Sequence, residues 1–324
     1  MNRRQLLQLA TASGAVALIP ALSSGQDNAP AAVPAPARKA GQASGGVLEP
    51  LRFIVFGDWG SGAALQHEVA AAMSLYCQKS SQAGAPVAFA ISTGDNFYDN
   101  GVADNLDEQW QTKFELMYPA ATMNFPFFAV LGNHDWRANP ATQFSYRGPS
   151  GRWRMDGFYY RVAQQGGLVD FFMVDTDLWL PHNKAELLAA KQTQWLDKSL
   201  AASKAKWKFV VGHHPPFTDG AHAPEADIPL VRGILTPLCA RYNVTALLSG
   251  HDHDLQHIVR PDLSTHFVIS GASGAGMRPR LTHDYGPFYQ DLIGGFLAVE
   301  VTPAAVTARF LDSRGNTLHE WTQV

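Results

Sequence analysis

The 324-residue chain sets 25 Lys+Arg against 28 Asp+Glu, a formal charge of −3, which offers neither a basic surface for nucleic acid nor an acidic tail. With 46% hydrophobic, 11% aromatic and only 16% charged residues, it has the composition of a globular protein and not of a disordered one. Two cysteines, Cys77 and Cys239, exclude a disulfide-stapled scaffold and a four-thiolate zinc site, while the 12 histidines, several in pairs, call for an explanation.

The chain opens MNRRQLLQLATASGAVALIPALSSG. Its apolar stretch falls short of the roughly 20 residues a membrane span needs, and Arg3 and Arg4 ahead of a mild apolar segment resemble a Tat export signal. Residues 1–24 are therefore expected to be removed near Ser23 or Ser24, after the Tat machinery has carried the folded protein to the periplasm or beyond, a noncleaved amino-terminal anchor being the alternative. Residues 25–50, rich in Ala, Pro and Gly without periodicity, read as an extended linker. The folded domain is expected over 51–324, with no internal repeat.

From Leu51 onward one pattern recurs: a short run of apolar residues, then a glycine, then carboxylate, amide or imidazole side chains. RFIVF precedes Gly57-Asp58, VAFAIST precedes Gly94-Asp95-Asn96, and FFAVL precedes Gly132-Asn133-His134-Asp135. KFVV then precedes Gly212-His213-His214, and TALLS precedes Gly250-His251-Asp252-His253. Consecutive apolar positions suit strands buried on both faces. Helical stretches are expected over 63–81, 104–118 and 184–202, which makes β-α-β units and a mostly parallel sheet. Further strands follow in GFYYRVA, LVDFFMVDTD, LQHIVR and THFVIS, and GGFLAVEVT and AVTARFLDSRG read as a hairpin turning at Pro303. Two sheets flanked by helices accommodate them in one α/β domain.

In such sheets ligands bind beyond the carboxyl ends of the strands. A single Gly-Asp is often only a turn, but here the strand ends deliver Asp58, Asp95, Asn133, His213, His251 and His253 to one side. Imidazole with carboxylate and amide oxygen suits Zn, Fe or Mn, not Ca. A pair of such ions serves phosphoryl hydrolysis.

GDWG, GDNFY, GNHD, VVGHH and GHDHDLQ stand in the order found in the calcineurin-like metallophosphoesterases. The chain resembles that superfamily over residues 52–302, and within it the small purple acid phosphatases of the mammalian tartrate-resistant type. The resemblance implies a four-layer αββα sandwich of two mixed sheets flanked by helices. It implies Fe(III) on Asp58, Asp95, Tyr98 and His253, and a divalent Fe, Zn or Mn on Asp95, Asn133, His213 and His251. Tyr98, three residues after Asp95, stands where the purple enzymes supply a tyrosinate, and Gly60 stands where most phosphodiesterases of the superfamily have a histidine. The implied activity is acid hydrolysis of small phosphate monoesters by a monomer, with hydroxide generated at the metal pair attacking phosphorus in line. His134 matches the substrate-facing histidine and His222, nine residues after His213, a second one. Asp135 is expected to orient His134 or to cap the next turn.

The sequence also departs from the mammalian pattern. His214 replaces a tyrosine and is expected either to contact phosphate or to pack beside Pro215. The stretch after Asp177 lacks the cysteine-tethered loop that proteolysis removes in those enzymes, and Cys77 and Cys239 read as buried free thiols. Region 136–160, with Trp136, Arg137, Arg147, Arg152, Trp153 and Arg154, would shape the pocket of a phosphodiesterase or nucleotidase, the alternative on the same metal pair. The non-enzymatic alternative is a metal or phosphate binder on this scaffold.

Overall fold

The computed structural model describes residues 48–324; the expected export signal, its cut site and most of the linker lie outside them. Regular structure begins at β1 (Leu51–Phe56), followed by α1 (Ala64–Gln82), β2 (Phe89–Ser92) and β3 (Phe127–Ala129). A single helical turn α2 (Thr142–Ser145) leads to β4 (Trp153–Arg154), β5 (Tyr160–Gln164) and β6 (Val169–Met173). Then come α3 (Glu186–Ala202), β7 (Trp207–Val211), α4 (Asp227–Tyr242) and β8 (Ala246–Ser249). The chain ends in β9 (Leu255–Val259), β10 (His266–Ser270), β11 (Pro287–Gln290), β12 (Gly295–Val301), β13 (Val306–Asp312) and β14 (Thr317–Gln323).

Two seven-stranded sheets result, ordered β14-β13-β12-β1-β2-β3-β4 and β11-β9-β10-β8-β7-β6-β5. Within each, the strands bearing the glycine-polar loops pair in parallel: β1 with β2 and β2 with β3 in the first, β7 with β8 in the second. The expectation of a mostly parallel sheet needs correction, because antiparallel strands extend both sheets. The meander β12–β13–β14 joins β1, and β9 with β11 joins β10. Between β9 and β10, β12 and β13, and β13 and β14 the connections are too short for the helical crossover a parallel pair needs.

Alternation across each central strand explains the layers. In the first sheet Phe53 pairs with Phe89 and their rings stack 5.1 Å apart; in the second, Phe171 pairs with Phe209 and they stack 5.1 Å apart. The two pairs meet edge to face, Phe53 on Phe171 at 5.1 Å, forming the core between the sheets. The next residue of each strand faces the other way: Phe172 and Val210 join Leu196, Leu200, Val231 and Leu235 of α3 and α4 in a second cluster. Over the first sheet, α1 lies on β12, with Tyr76 against Phe296 at 5.8 Å. The result is helix, sheet, sheet, helix.

This layering also settles the cysteines. Cys77 on α1 and Cys239 on α4 cover different sheets and are buried free thiols, each pushed up to about 12 by burial. The helix expected over 104–118 is confined to a short π-helix, Trp110–Glu115. Aspartates disrupt its start, since Asp104 and Asp107 accept local backbone N–H groups. Trp110 and Phe114 are drawn inward, Trp110 stacking on Tyr146 at 3.6 Å and Phe114 packing edge-on to Trp153 at 5.1 Å. Among the described residues no helix is long and apolar enough to cross a membrane.

Candidate metal centre

The loops after β1, β2, β3, β7 and β8 gather at the carboxyl ends of the parallel strands. Three of the expected donors hold a left-handed backbone unusual for a side-chain-bearing residue: Asp58 (φ 57°), Asp95 (φ 50°) and His251 (φ 72°). Strain of this kind persists where the surroundings over-determine it and collects at functional sites. Here the surroundings are backbone amides. Asp58 accepts the N–H of His251 at 3.0 Å and Asp95 accepts the N–H of His134 at 2.9 Å. The glycines of the motifs make room: a Cβ on Gly132 would lie 2.3 Å from Asp95 Oδ1, and one on Gly250 2.3 Å from Asp58 Oδ2.

The expected donors fall into two adjoining groups. In the first, Tyr98 Oη lies 3.0 Å from Asp58 Oδ1 and 3.1 Å from His253 Nε2, and His253 Nε2 is 3.7 Å from Asp58. In the second, Asn133 Oδ1 lies 3.1 Å from His213 Nε2 and 3.2 Å from His251 Nδ1, and those nitrogens are 3.3 Å apart. Asp95 adjoins both, its Oδ1 3.5 Å from His213 Nε2. Ligand atoms of Asp58, Asp95 and His213 all lie within 4.8 Å of one another.

The protons show what this arrangement asks for. His213 Nδ1 faces the Thr93 carbonyl at 2.9 Å, and His253 Nδ1 the Gly276 carbonyl at 2.8 Å. A carbonyl only accepts, so each Nδ1 donates and each Nε2 presents a lone pair to the centre. His213 Nε2 thus faces the oxygens of Asn133 and Asp95, acceptors all. Acceptors do not hold one another; a cation among them does. The donor set therefore fits a bound metal. Burial lowers His213 and, more strongly, His251, and with Arg278 it brings His253 down to about 4, leaving the neutral imidazoles that ligation requires. Burial, then Asp95, raises the Asp58 carboxyl well above its usual range, and burial, then Asp58 and Asp95, hold the Tyr98 phenol protonated. A cation at this point reverses both preferences.

Gly60 explains how Tyr98 comes to stand here. A Cβ on Gly60 would lie 1.8 Å from the Asn96 carbonyl oxygen, so the loop carrying Tyr98 occupies the space a larger residue would need. The Gly60 carbonyl in turn accepts the Tyr98 N–H at 2.9 Å.

His134 is partly exposed at the mouth of a polar cleft of about 430 Å³, lined also by Ser61, Tyr98, Asp99, Lys113, His253, Ala275, Gly276 and Arg278. Its Nδ1 donates to the Asp99 carbonyl at 2.7 Å, and its Nε2 is 3.9 Å from Asp95. Asp135 does not orient it. That carboxylate is buried, accepting N–H groups from Gly132, Asn96 and Gln143, and so ties the GDNFY and GNHD loops together. His222 comes beside His251, with ring centroids 4.0 Å apart, and its Nδ1 lies 2.8 Å from Asp252. His214 is buried: Thr176 Oγ1 stands 2.7 Å from its Nδ1, and its ring packs 4.3 Å from that of His251.

Several members of the site escaped the sequence reading. Asp252 was visible inside GHDHD but carried no expectation. Glu225, whose Oε2 is 3.5 Å from the otherwise unpartnered His251 Nε2, and Arg278, beside His222, lie outside every motif. Region 136–160 is mostly structural: Trp153 is fully buried, and Arg152 binds Glu115 and the carbonyls of Tyr118 and Met123.

Residues 51–255 match the family profile of the calcineurin-like phosphoesterases. The chain is 34% identical over 296 residues to tartrate-resistant acid phosphatase type 5 of Mus musculus, covering 83% of this chain and 88% of that protein. It is 34% identical over 291 residues to purple acid phosphatase 3 of Arabidopsis thaliana, covering 83% and 76%. Among solved structures, the GAP50 anchor of the inner membrane complex of Plasmodium superposes with TM-score 0.74 at 24% identity, covering 84% of this chain and 88% of that one. The purple acid phosphatase of yellow lupin seeds, Lupinus luteus, superposes with TM-score 0.63 at 17% identity, covering 84% and 53%, and so shares the fold. The chain belongs to the calcineurin-like phosphoesterases, in the tartrate-resistant, purple acid phosphatase branch, and is a phosphoric monoester hydrolase.

Proposed function

We propose that this protein is an exported acid phosphatase that hydrolyses small phosphate monoesters at a dinuclear metal centre. The observation that carries this reading is the convergence of lone pairs from His213, Asn133 and Asp95 beside a second group built on Asp58, Tyr98 and His253. Asp58, Asp95, Tyr98 and His253 would hold Fe(III), and Asp95, Asn133, His213 and His251 a divalent Fe, Zn or Mn. A phenolate is a hard, strongly donating anion and favours the ferric state. When bound, such a pair supplies Lewis acidity toward the phosphoryl oxygens and lowers the pKa of water.

The chain's own residues do the rest. His134, fixed at Nδ1 by the Asp99 carbonyl, keeps Nε2 free to hold the proton that the departing ester oxygen takes up. His222, fixed at Nδ1 by Asp252, would face the substrate beside His251, whose ring lies 4.0 Å away, and buried His214 backs the same imidazole. The burial of His213, His251 and Asp58 keeps water away from the ligand atoms. Export is supported by Arg3, Arg4 and the short apolar segment after them, and a route that moves folded proteins suits a centre loaded before export.

Metal analysis of the purified protein, joined to rates on a monoester, a diester and a nucleotide across pH, tests the reading. Iron with a second metal and faster monoester turnover in acid is expected. A diester preference, or full metal content without turnover, overturns it.

A further inference from the structure

His222 does not present a free nitrogen to the cleft. Its Nδ1 faces Asp252 Oδ1 at 2.8 Å and its Nε2 meets the guanidinium of Arg278. A guanidinium only donates, so His222 accepts at Nε2 and donates from Nδ1 to the carboxylate. Asp252 is itself held, by the hydroxyl of Thr218 and the backbone N–H of His222. The chain Asp252–His222–Arg278 thus runs from the buried interior to the cleft wall.

Arg278 lines that cleft with His134, Lys113 and His253. Among the described residues no carboxylate lies within ion-pair distance of its guanidinium, although Glu225 lies 3.9 Å from His222 Nε2. Lys113, across the cleft, is already engaged by the Tyr98 carbonyl at 2.6 Å and by Gln109 at 2.8 Å. Among the described residues lining this cleft, Arg278 is therefore the cation with the most donors to spare, and its planar fork matches the oxygens of a phosphate.

We infer that Arg278 is the side chain that grips the non-bridging oxygens of the substrate phosphate on this side of the cleft, and that His222 is its positioning residue. This rests on the phosphatase reading for its substrate and places the anion contact on a guanidinium rather than on the second imidazole. The always-charged group supplies locally the attraction that a chain of net charge −3 does not supply at long range.

The test is the affinity of the metal-loaded protein for inorganic phosphate, measured calorimetrically, alongside kcat and KM for a monoester. R278A is expected to weaken phosphate binding and raise KM about tenfold or more, the effect of losing a charge-assisted hydrogen-bonded pair. R278K, which keeps the charge and loses the fork, is expected to fall between. H222A is expected to weaken phosphate binding in the parent but to add little in the R278A background, since it acts through a guanidinium already removed. Unchanged phosphate affinity in a folded R278A protein, or losses that simply multiply in the double variant, overturn the inference. A parent protein that binds phosphate through Arg278 yet hydrolyses no ester sinks the phosphatase reading and leaves this one standing.

Discussion

Tyr98 shows how much one side chain decides here. Its hydroxyl stands 3.0 Å from Asp58 and 3.1 Å from His253, and without a cation its burial and two carboxylates keep the phenol protonated. Tyr98→Phe is expected to abolish the visible charge-transfer absorption of the iron-loaded protein while leaving it folded; a mutant that keeps the band is incompatible with a tyrosinate ligand. His134 lines the cleft, its ring 4.3 Å from that of Tyr98 and its Nδ1 bonded to the Asp99 carbonyl, which leaves Nε2 for the substrate. His134→Ala is therefore expected to lower kcat by about 100-fold or more through loss of the proton donor. The drop should be largest for esters with poor leaving groups, and equal drops for good and poor leaving groups would remove His134 from the acid role.

At the scale of elements, the site depends on loops being held against strand ends. Gly60 lies beneath the loop that carries Tyr98, with Asn96 O 1.8 Å from where its Cβ would be. Because the neighbour is backbone and cannot rotate away, Gly60→Ala is expected to cost about 1–3 kcal/mol of stability and to weaken the visible band as the loop moves. Unaltered urea midpoint and spectrum would count against this account. A second device links the two sheets. His257 on β9 lies 2.8 Å from His266 on β10 and 2.9 Å from His319 on β14, with its ring stacked on Trp321. Burial, then His266 and His319, brings His257 from 6.5 down to about 3, and burial also lowers His266 and His319. Above pH 6.5 both folded and unfolded chains hold His257 neutral. As pH falls toward 3, the unfolded chain takes up a proton that the folded one resists, so stability is lost by at most about 1.4 kcal/mol per pH unit. His257→Gln is expected to flatten the decline in urea midpoint between pH 7.5 and 5, and an unchanged slope would rule the residue out.

For the whole molecule, two sheets meet through Phe53, Phe89, Phe171 and Phe209, and the donors come from both. Asp58, Asp95, Tyr98 and Asn133 follow strands of the first sheet; His213, His251 and His253 follow strands of the second. A metal pair bound among them would therefore tie the sheets together and bind only the folded state. Removing it by chelation is expected to lower the thermal midpoint by several degrees, in keeping with about 2.7 kcal/mol for a site at one hundred times its dissociation constant. Re-addition should restore it, and a midpoint indifferent to metal would contradict a site shared across the sheets.

The strands that matter most could be read directly. RFIVF, FFAVL, KFVV and TALLS are short runs buried on both faces, a pattern that does not depend on partners, and each ends in a glycine beside which a carboxylate, amide or imidazole must follow. That is why the donors and their common edge were legible in one dimension. Residues 104–118 were not, because the spacing of Trp110 and Phe114 is helical but their burial against Tyr146 and Trp153 is set by chain segments far away. The antiparallel half of each sheet was hidden for a similar reason: a strand's run is the same whichever way its neighbour points. Which carbonyl fixes which imidazole, Thr93 for His213, Gly276 for His253 and Asp99 for His134, leaves no trace in residue type, since every residue has a carbonyl. Residue chemistry alone therefore determined that this protein carries carboxylate, amide and imidazole side chains able to hold metal at its strand ends. Only the tertiary structure decided which nitrogen each imidazole offers and that the Nε2 of His222 meets the Arg278 guanidinium, because hydrogen-bond direction exists only in space.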